Sequence, residues 1–184
     1  QRLSGNWNPD SMSMDDIWKS SSEDSRLCVP FPFCLAYPLQ EEPENLGTCK
    51  DWQVEWKWDG IRAQLIINSG ISMLWSRGDE SVGNSFPEII EASKLIPYDI
   101  CLDGEIMSWG GDGLGLFSEL QQRLGRKNPD LSILQRIPVR FMAYDILAIE
   151  GQDLREEPLS FRRKKLEAVL ELLRNHLEHG HRLT

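Results

Sequence analysis

From residue 52 onward, polar and apolar positions alternate. Val54, Trp56 and Trp58 interleave with Gln53, Glu55 and Lys57, the two-residue period of a strand whose faces differ in character. Residues 61–67 and 71–76 are rich in apolar side chains and are separated by Asn68-Ser69-Gly70, a break that predicts a hairpin. A short helix is predicted over 87–95, with Pro87 in its first turn, where a missing N–H costs nothing. A strand follows over 99–107 and a second short helix over 116–124. Residues 138–147 predict another strand, with Val139, Phe141 and Ala143 on one face and Arg140 and Met142 on the other. The clearest helix comes last: Leu166, Val169, Leu170, Leu173 and Leu177 recur at three- and four-residue steps, and Ser160 is suited to cap it. Strand pairs interrupted by helices predict an α+β domain with antiparallel sheets flanked by helices.

Residues 1–50 break this pattern. Residues 11–25 are rich in Ser and Asp, and Pro30, Pro32, Pro38 and Pro43 then remove backbone donors, which predicts a linker or wrapping arm. Trp7, Trp18, Phe31, Phe33 and Tyr37 imply that parts of this arm pack onto something.

With 184 residues there is room for one domain and a tail. No apolar run approaches the roughly 18 residues of a membrane helix, so no membrane partner is expected. The net charge of -9 excludes a surface that is basic all over, and any nucleic acid must meet local basic patches. Cys28, Cys34, Cys49 and Cys101 form no closely spaced pair, so free thiols are expected rather than a zinc site or a disulfide framework. His176, His179 and His181, interleaved with Glu178 and Gly180, read as a solvated terminus.

The sharpest chemical feature is Glu55-Trp56-Lys57-Trp58-Asp59-Gly60-Ile61-Arg62. A lysine with its pKa lowered from about 10.4 by desolvation or a neighbouring cation can attack phosphorus. Gly60 lets the backbone approach a ligand closely, and Arg62 can hold a phosphate by two parallel hydrogen bonds. The competing reading is an amphipathic strand ending in a turn, with Lys57 paired to Asp59 or Glu55. At average residue usage the four fixed positions K-x-D-G-x-R arise by chance in about 0.3% of chains this long, so they need support from elsewhere.

That support is an ordered series of further motifs: Ser76-Arg77-Gly78-Asp79-Glu80, then Leu102-Asp103-Gly104-Glu105, then Phe141-Met142-Ala143-Tyr144-Asp145. In this order they resemble the covalent nucleotidyltransferases, which comprise ATP-dependent DNA ligases, RNA ligases and mRNA capping enzymes. Pro30-Phe31-Pro32-Phe33, Leu35-Ala36-Tyr37-Pro38-Leu39, Leu74-Trp75-Ser76-Arg77-Gly78 and Leu120-Gln121-Gln122-Arg123-Leu124-Gly125-Arg126-Lys127 narrow the resemblance to bacterial ATP-dependent DNA ligases that carry a helical DNA-binding domain upstream. The resemblance covers residues 6–163.

The resemblance implies an ATP-grasp-like adenylation domain, with residues 1–50 as the connector after a helical DNA-binding domain and 51–184 as the first part of the domain. It implies ATP and Mg²⁺ as cofactors, nicked double-stranded DNA as partner, a monomer, and a cytoplasmic, nucleoid-associated setting in bacteria. Lys57 would be the nucleophile on the α-phosphate. Glu55 would read the adenine edge, Arg62 and Arg77 would hold ribose or phosphate oxygens, Glu105 would bind the ribose or the metal, and Tyr144 would stack on adenine. Asp59 and Asp145 read as structural carboxylates, and Phe141 as core by strand parity. Taken alone, Asp103-Gly104-Glu105 reads better as a turn between strands than as a site, and Tyr144 reads equally as a core aromatic. Arg123, Arg126 and Lys127 either meet DNA phosphates or form a solvated helix face, and residues 162–165 read as a charged helix face. A later Glu-Gly-apolar-Lys motif, a Trp-Lys-x-Lys style motif and an oligonucleotide-binding-fold domain are expected downstream. The alternatives are a GTP-using capping enzyme, an RNA ligase, or a truncated module that binds nucleotide or DNA without turnover.

Overall fold

The computed structural model describes residues 28–111, 113–126 and 128–176. The Ser-rich stretch 11–25, Trp7, Trp18, Lys127, Leu177, His179 and His181 lie outside the described residues, as does the side chain of His176.

The predicted hairpin is present. Strand β1 (Ile61–Asn68) turns at Ser69 and Gly70 into β2 (Ile71–Ser76). Both turn residues adopt positive φ, 49° and 77°, which matches the twist of the flanking strands. Asp99 Oδ1 accepts from the Ser69 amide at 2.7 Å and so holds the turn to the chain entering β3. β3 (Ile100–Gly110), the short β4 (Gly113–Leu114), β5 (Val139–Ile149) and the short β6 (Gln152–Asp153) complete one antiparallel sheet. Its order is β2-β1-β3-β5-β6, with β4 paired to β3 alone.

One face of the sheet is apolar. Ala63, Leu65, Leu74, Leu102, Ile106, Phe141 and Ile146 are buried there. Helices α1 (Pro87–Ser93), α2 (Phe117–Arg123) and α4 (Leu159–His176) cover them through Ile89, Leu120, Leu166, Val169 and Leu173. The α4 side chains fall on the predicted three- and four-residue stripe. The helix starts at Leu159, however, so Ser160 lies inside its first turn instead of capping it. A helix the pattern did not predict, α3 (Leu131–Arg136), begins at Asp130, whose carboxylate accepts from the Ile133 amide at 2.9 Å. No helix is long and apolar enough to cross a membrane among the described residues.

The second face carries Arg62, Gln64, Ile66, Trp75, Cys101, Asp103 and Glu105, with Arg62 paired to Glu105 and Gln64 to Asp103 across β1 and β3. The arm does wrap, as its aromatic content implied. Phe31 packs on Ile66, Cys101 and Leu147, and the Trp75 indole donates to the Cys28 carbonyl at 2.8 Å. The four cysteines are free thiols.

Two expectations fail. Residues 53–58 alternate like a strand but form none. No strand among the described residues lies alongside to take their backbone hydrogen bonds, and Val54 and Trp56 are 95% and 83% exposed. Arg123 is neither a phosphate contact nor part of a solvated face, because it is completely buried. Its guanidinium forms a two-bond pair with Glu88, at 2.5 and 2.7 Å, and donates to the carbonyls of Ser85 and Ile137 while lying over the Phe86 ring. It thereby fastens α2 to the start of α1.

Truncating one member of such a pair strands the other charge in the interior. Arg123→Met is expected to lose about 3–5 kcal/mol of stability in urea unfolding. Combining it with Glu88→Leu should recover much of that loss, and a double variant as unstable as the single one would show that packing, not charge, sets the cost.

Candidate functional site

The motif residues converge where β1 leaves its N-terminal end. Arg62, the second residue of β1, crosses to Asp103 on β3, where Nε meets Oδ1 at 3.3 Å and Nη2 meets Oδ2 at 3.0 Å. The Asp103 side chain is only 4% exposed. Burial pushes its carboxyl above the usual range, and the Arg62 guanidinium and the Tyr144 hydroxyl, which donates to Oδ1 at 3.3 Å, pull it back. Pairing with Asp103 raises the pKa of Arg62 against its own burial. Desolvation beside the same carboxylate pushes the Tyr144 phenol well up, so it stays a hydrogen-bond donor at neutral pH.

Tyr144 reaches this face because β5 is irregular. Asp103 pairs with Asp145 while Gly104 pairs with Ala143, which leaves Tyr144 as the extra residue of a bulge. A second slip leaves Leu147 extra. Asp145, the neighbour of Tyr144, pairs with Arg162 of α4 through two bonds of 2.9 Å, the structural role expected for it.

Two glycines make the close approaches possible. A Cβ on Gly60 would collide with the Ile106 carbonyl and come within 2.9 Å of Glu105, while one on Gly104 would meet the Met142 carbonyl and the Phe141 ring at 2.6 Å. With hydrogen in that place, the Gly60 amide donates to Glu105 Oε1 at 3.1 Å. Burial raises the Glu105 pKa, opposed by that amide, by Arg62 and by Lys57. Lys57 is therefore near enough for its charge to act on Glu105. It is exposed and has no ion-pair partner among the described residues, so neither Asp59 nor Glu55 neutralises it. Asp59 is exposed and makes no side-chain hydrogen bond among the described residues, so it does not cap the turn.

The other expected residues are less tightly grouped. Glu55 is drawn toward α4, accepting from Arg163 at 3.4 Å and from Gln53. Arg77 follows β2, tied to β1 by its amide on the Arg62 carbonyl at 3.0 Å. Its side chain is exposed and lines an open groove of about 640 Å³ with Pro30, Phe31, Pro32, Phe33, Leu35 and Asp79. Arg62 is spent differently from the expectation. Besides Asp103, it donates through Nη1 to the Cys34 carbonyl and lies 5.5 Å from the Phe33 ring centroid and 5.8 Å from that of Tyr144. Three of its five N–H donors are engaged by the protein, whereas Arg77 and Lys57 are exposed and have no ion-pair partner among the described residues.

Sequence reasoning passed over Asp103 as a partner for Arg62, named Phe33 only as an aromatic of the arm, and passed over Gln64 altogether. The one available signal was a glutamine amid the apolar run 61–67. Among the described residues no three metal-ligating side chains cluster. Glu105 offers one carboxylate, which suits a Mg²⁺ ion held mainly by nucleotide phosphates and water.

Because the folded-state pKa of Glu105 lies above its usual 4.5, the folded chain binds that proton more tightly than the unfolded one. The contribution of Glu105 to stability is thus full at pH below 4.5 and is lost as pH rises through the raised value. Urea unfolding of Glu105→Gln is expected to gain on the unsubstituted protein between pH 4.5 and 7; a gap that is constant with pH contradicts this.

The model of the family described as "ATP dependent DNA ligase domain" matches residues 34–181. A "Probable DNA ligase" of Koribacter versatilis is 38% identical over 144 residues, 78% of this chain and 25% of that protein. A "Probable DNA ligase" of Opitutus terrae is 43% identical over 119 residues, 64% of this chain and 12% of that protein. The crystal structure of the ligase domain from M. tuberculosis LigD aligns with a TM-score of 0.52 at 29% identity, over 64% of this chain and 36% of that one. A structure described as "mycobacterial DNA ligase D complexed with ATP and MES" aligns with the same score at 28% identity. The chain spans a quarter or less of the length of the two relatives named. Its α+β fold, with an antiparallel sheet and flanking helices, is that of a ligase adenylation domain, and the chain belongs to the ATP dependent DNA ligase domain family.

Proposed function

We propose that this chain is the nucleotide-accepting part of an ATP-dependent DNA ligase and that Lys57 is its nucleophile. The carrying observation is the exposed, unpaired Lys57 set three residues before a glycine whose amide binds Glu105. Proximity to Glu105 and placement on an extended segment open to solvent let the amine meet a phosphate without first breaking a salt bridge. Loss of a proton from Lys57 frees the lone pair. The amine then attacks the α-phosphorus of ATP, forming a P–N bond as the bond to the β-phosphate oxygen breaks and pyrophosphate leaves with the electron pair.

In the second step a 5′-phosphate oxygen at a nick attacks the same phosphorus and the P–N bond breaks. In the third, the 3′-hydroxyl attacks the activated 5′-phosphorus and AMP departs. Tyr144 offers its ring to adenine, worth about 1–3 kcal/mol for a stacked base. Glu105 binds the ribose or a Mg²⁺ ion, which supplies charge neutralisation at the phosphates. Arg77, the exposed cation of the groove, suits the 5′-phosphate of the nick better than Arg62, three of whose five donors are held by the protein. The enzyme acts as a monomer on nicked duplex.

The test uses a polypeptide of the relatives' full length that includes this segment. Incubation with α-labelled ATP and Mg²⁺ is expected to leave acid-labile, base-stable label on Lys57, while labelled GTP leaves none and Lys57→Ala abolishes the label. Label that survives Lys57→Ala overturns the assignment, and label from GTP would move the chain to the capping enzymes. The 184-residue chain alone is expected to react about 100-fold more slowly or worse, as loss of groups that stabilise the departing pyrophosphate entails.

A further inference from the structure

The most unusual side chain on the second face is Gln64. It is 0% exposed and sits in the middle of β1, where its neighbours Leu65, Ile66 and Ile67 are apolar. A buried carboxamide needs partners for its donors and its acceptor. Gln64 finds them in the backbone of one residue of the arm: the Phe31 amide donates to Oε1 at 2.8 Å, and Nε2 donates to the Phe31 carbonyl at 3.1 Å. The side chain thus does for residue 31 what a neighbouring strand would do, and it does so without letting a strand pair there. Arg62, two residues earlier on the same face of β1, takes the Cys34 carbonyl three residues later on the arm. The arm is therefore pinned at two points whose spacing along β1 and along the arm is fixed by covalent geometry.

Between those pins sits Phe33, with its ring against the guanidinium of Arg62. Arg62 is rigid and planar, so the group that orients it orients everything it holds, namely Asp103 directly and the Tyr144 hydroxyl through Asp103. The arm could not slip by one residue without presenting Pro30 or Pro32 to Gln64, and proline has no amide to donate. The sequence Pro30-Phe31-Pro32 thus gives Gln64 a single residue with both backbone groups available.

We propose that Gln64 is a positioning residue of the nucleotide site. By registering the arm on β1 it sets Phe33 and the Cys34 carbonyl against Arg62, and so fixes Arg62, Asp103 and Tyr144 in the arrangement that receives the base. This deepens the proposed function and rests on it for the identity of the ligand, but not for the geometry, which can be read without any nucleotide.

The experiment therefore has two readouts on the 184-residue chain. In ¹⁵N spectra, the Arg62 Nε–H is expected to exchange slowly and to show cross-relaxation to the Phe33 and Tyr144 rings. Gln64→Met, which conserves volume but supplies neither hydrogen bond, should abolish those signals and speed amide exchange at Phe31 while leaving the β1–β3 amides protected. ATP affinity, followed by titration, should fall about tenfold. Phe33→Ala removes only a half-exposed ring and leaves the core untouched, so it tests the same link if Gln64→Met does not fold. It should lower ATP affinity similarly, and the two substitutions together should cost no more than either alone.

Unchanged Arg62 signals in a folded Gln64→Met chain overturn the inference, as does unchanged ATP affinity in either variant when the unsubstituted chain binds. If the Arg62 signals change as expected but ATP binds neither these chains nor the full-length polypeptide, the geometric inference stands and the nucleotide reading fails.

Discussion

A carboxylate withdrawn from water costs several kcal/mol unless something of opposite charge meets it, and Asp103 lies in the middle of the sheet with almost no exposure. Arg62 meets that demand from the adjacent strand. Its fork is flat and its five donors have fixed directions, so satisfying Asp103 through Nε and Nη2 decides where Nη1 points, which is toward the arm. The entry of the arm, the orientation of the Tyr144 hydroxyl and the polar character of the second face all follow from this one buried pair. The glycine at position 104 belongs to the same constraint, since β5 could not come close enough to deliver Tyr144 past a larger side chain.

The same kind of pairing recurs through this acidic chain. Among the described residues, guanidinium groups are repeatedly occupied inside the molecule: Arg62 by Asp103, Arg123 by Glu88, Arg155 by Asp153, Arg162 by Asp145, Arg163 by Glu55 and Glu167, and Arg174 by Glu171. Arg155 also stacks on the Phe31 ring, so that even the arm is held by a cation, and its pair pulls the Asp153 carboxyl down to about 2. The acidic excess is in part the counterweight to these pins. Lys57 and Arg77, by contrast, are exposed and have no ion-pair partner among the described residues.

Much of this fold was legible because its elements bury one face and obey a simple period. The hairpin at Ser69-Gly70, the strand through Phe141 and the α4 stripe all follow that rule. Three features did not. Residues 53–58 have the right alternation, yet a strand also needs a neighbour, and alternation says nothing of one. Helix α3 presents Ile133 as its one buried residue, too little for a periodic signal. Arg123 occurs among polar residues on a short helix, and only the tertiary position of Glu88, 35 residues earlier, distinguishes a buried clamp from a surface charge. The motif residues were legible as an ordered set, but their contacts were not: Arg62 and Tyr144 meet through Asp103, which is a fact of register and bulging that no spacing along the chain encodes.

The two slips in β5 carry a consequence for how fold and chemistry are divided. The core-facing positions of that strand run Val139, Phe141, Ala143, Ile146 and Ile149, stepping by two and then by three. In each longer step an extra side chain is delivered to the opposite face, first Tyr144 and then Leu147. Neither has a partner in the β3 register, but the two serve different ends. Leu147 is buried with Ile66 and Cys101 under the Phe31 ring, so it completes the second apolar cluster that seats the arm. Tyr144 belongs to neither apolar cluster, so a different side chain there would leave the core surface that the sheet offers its helices as it is.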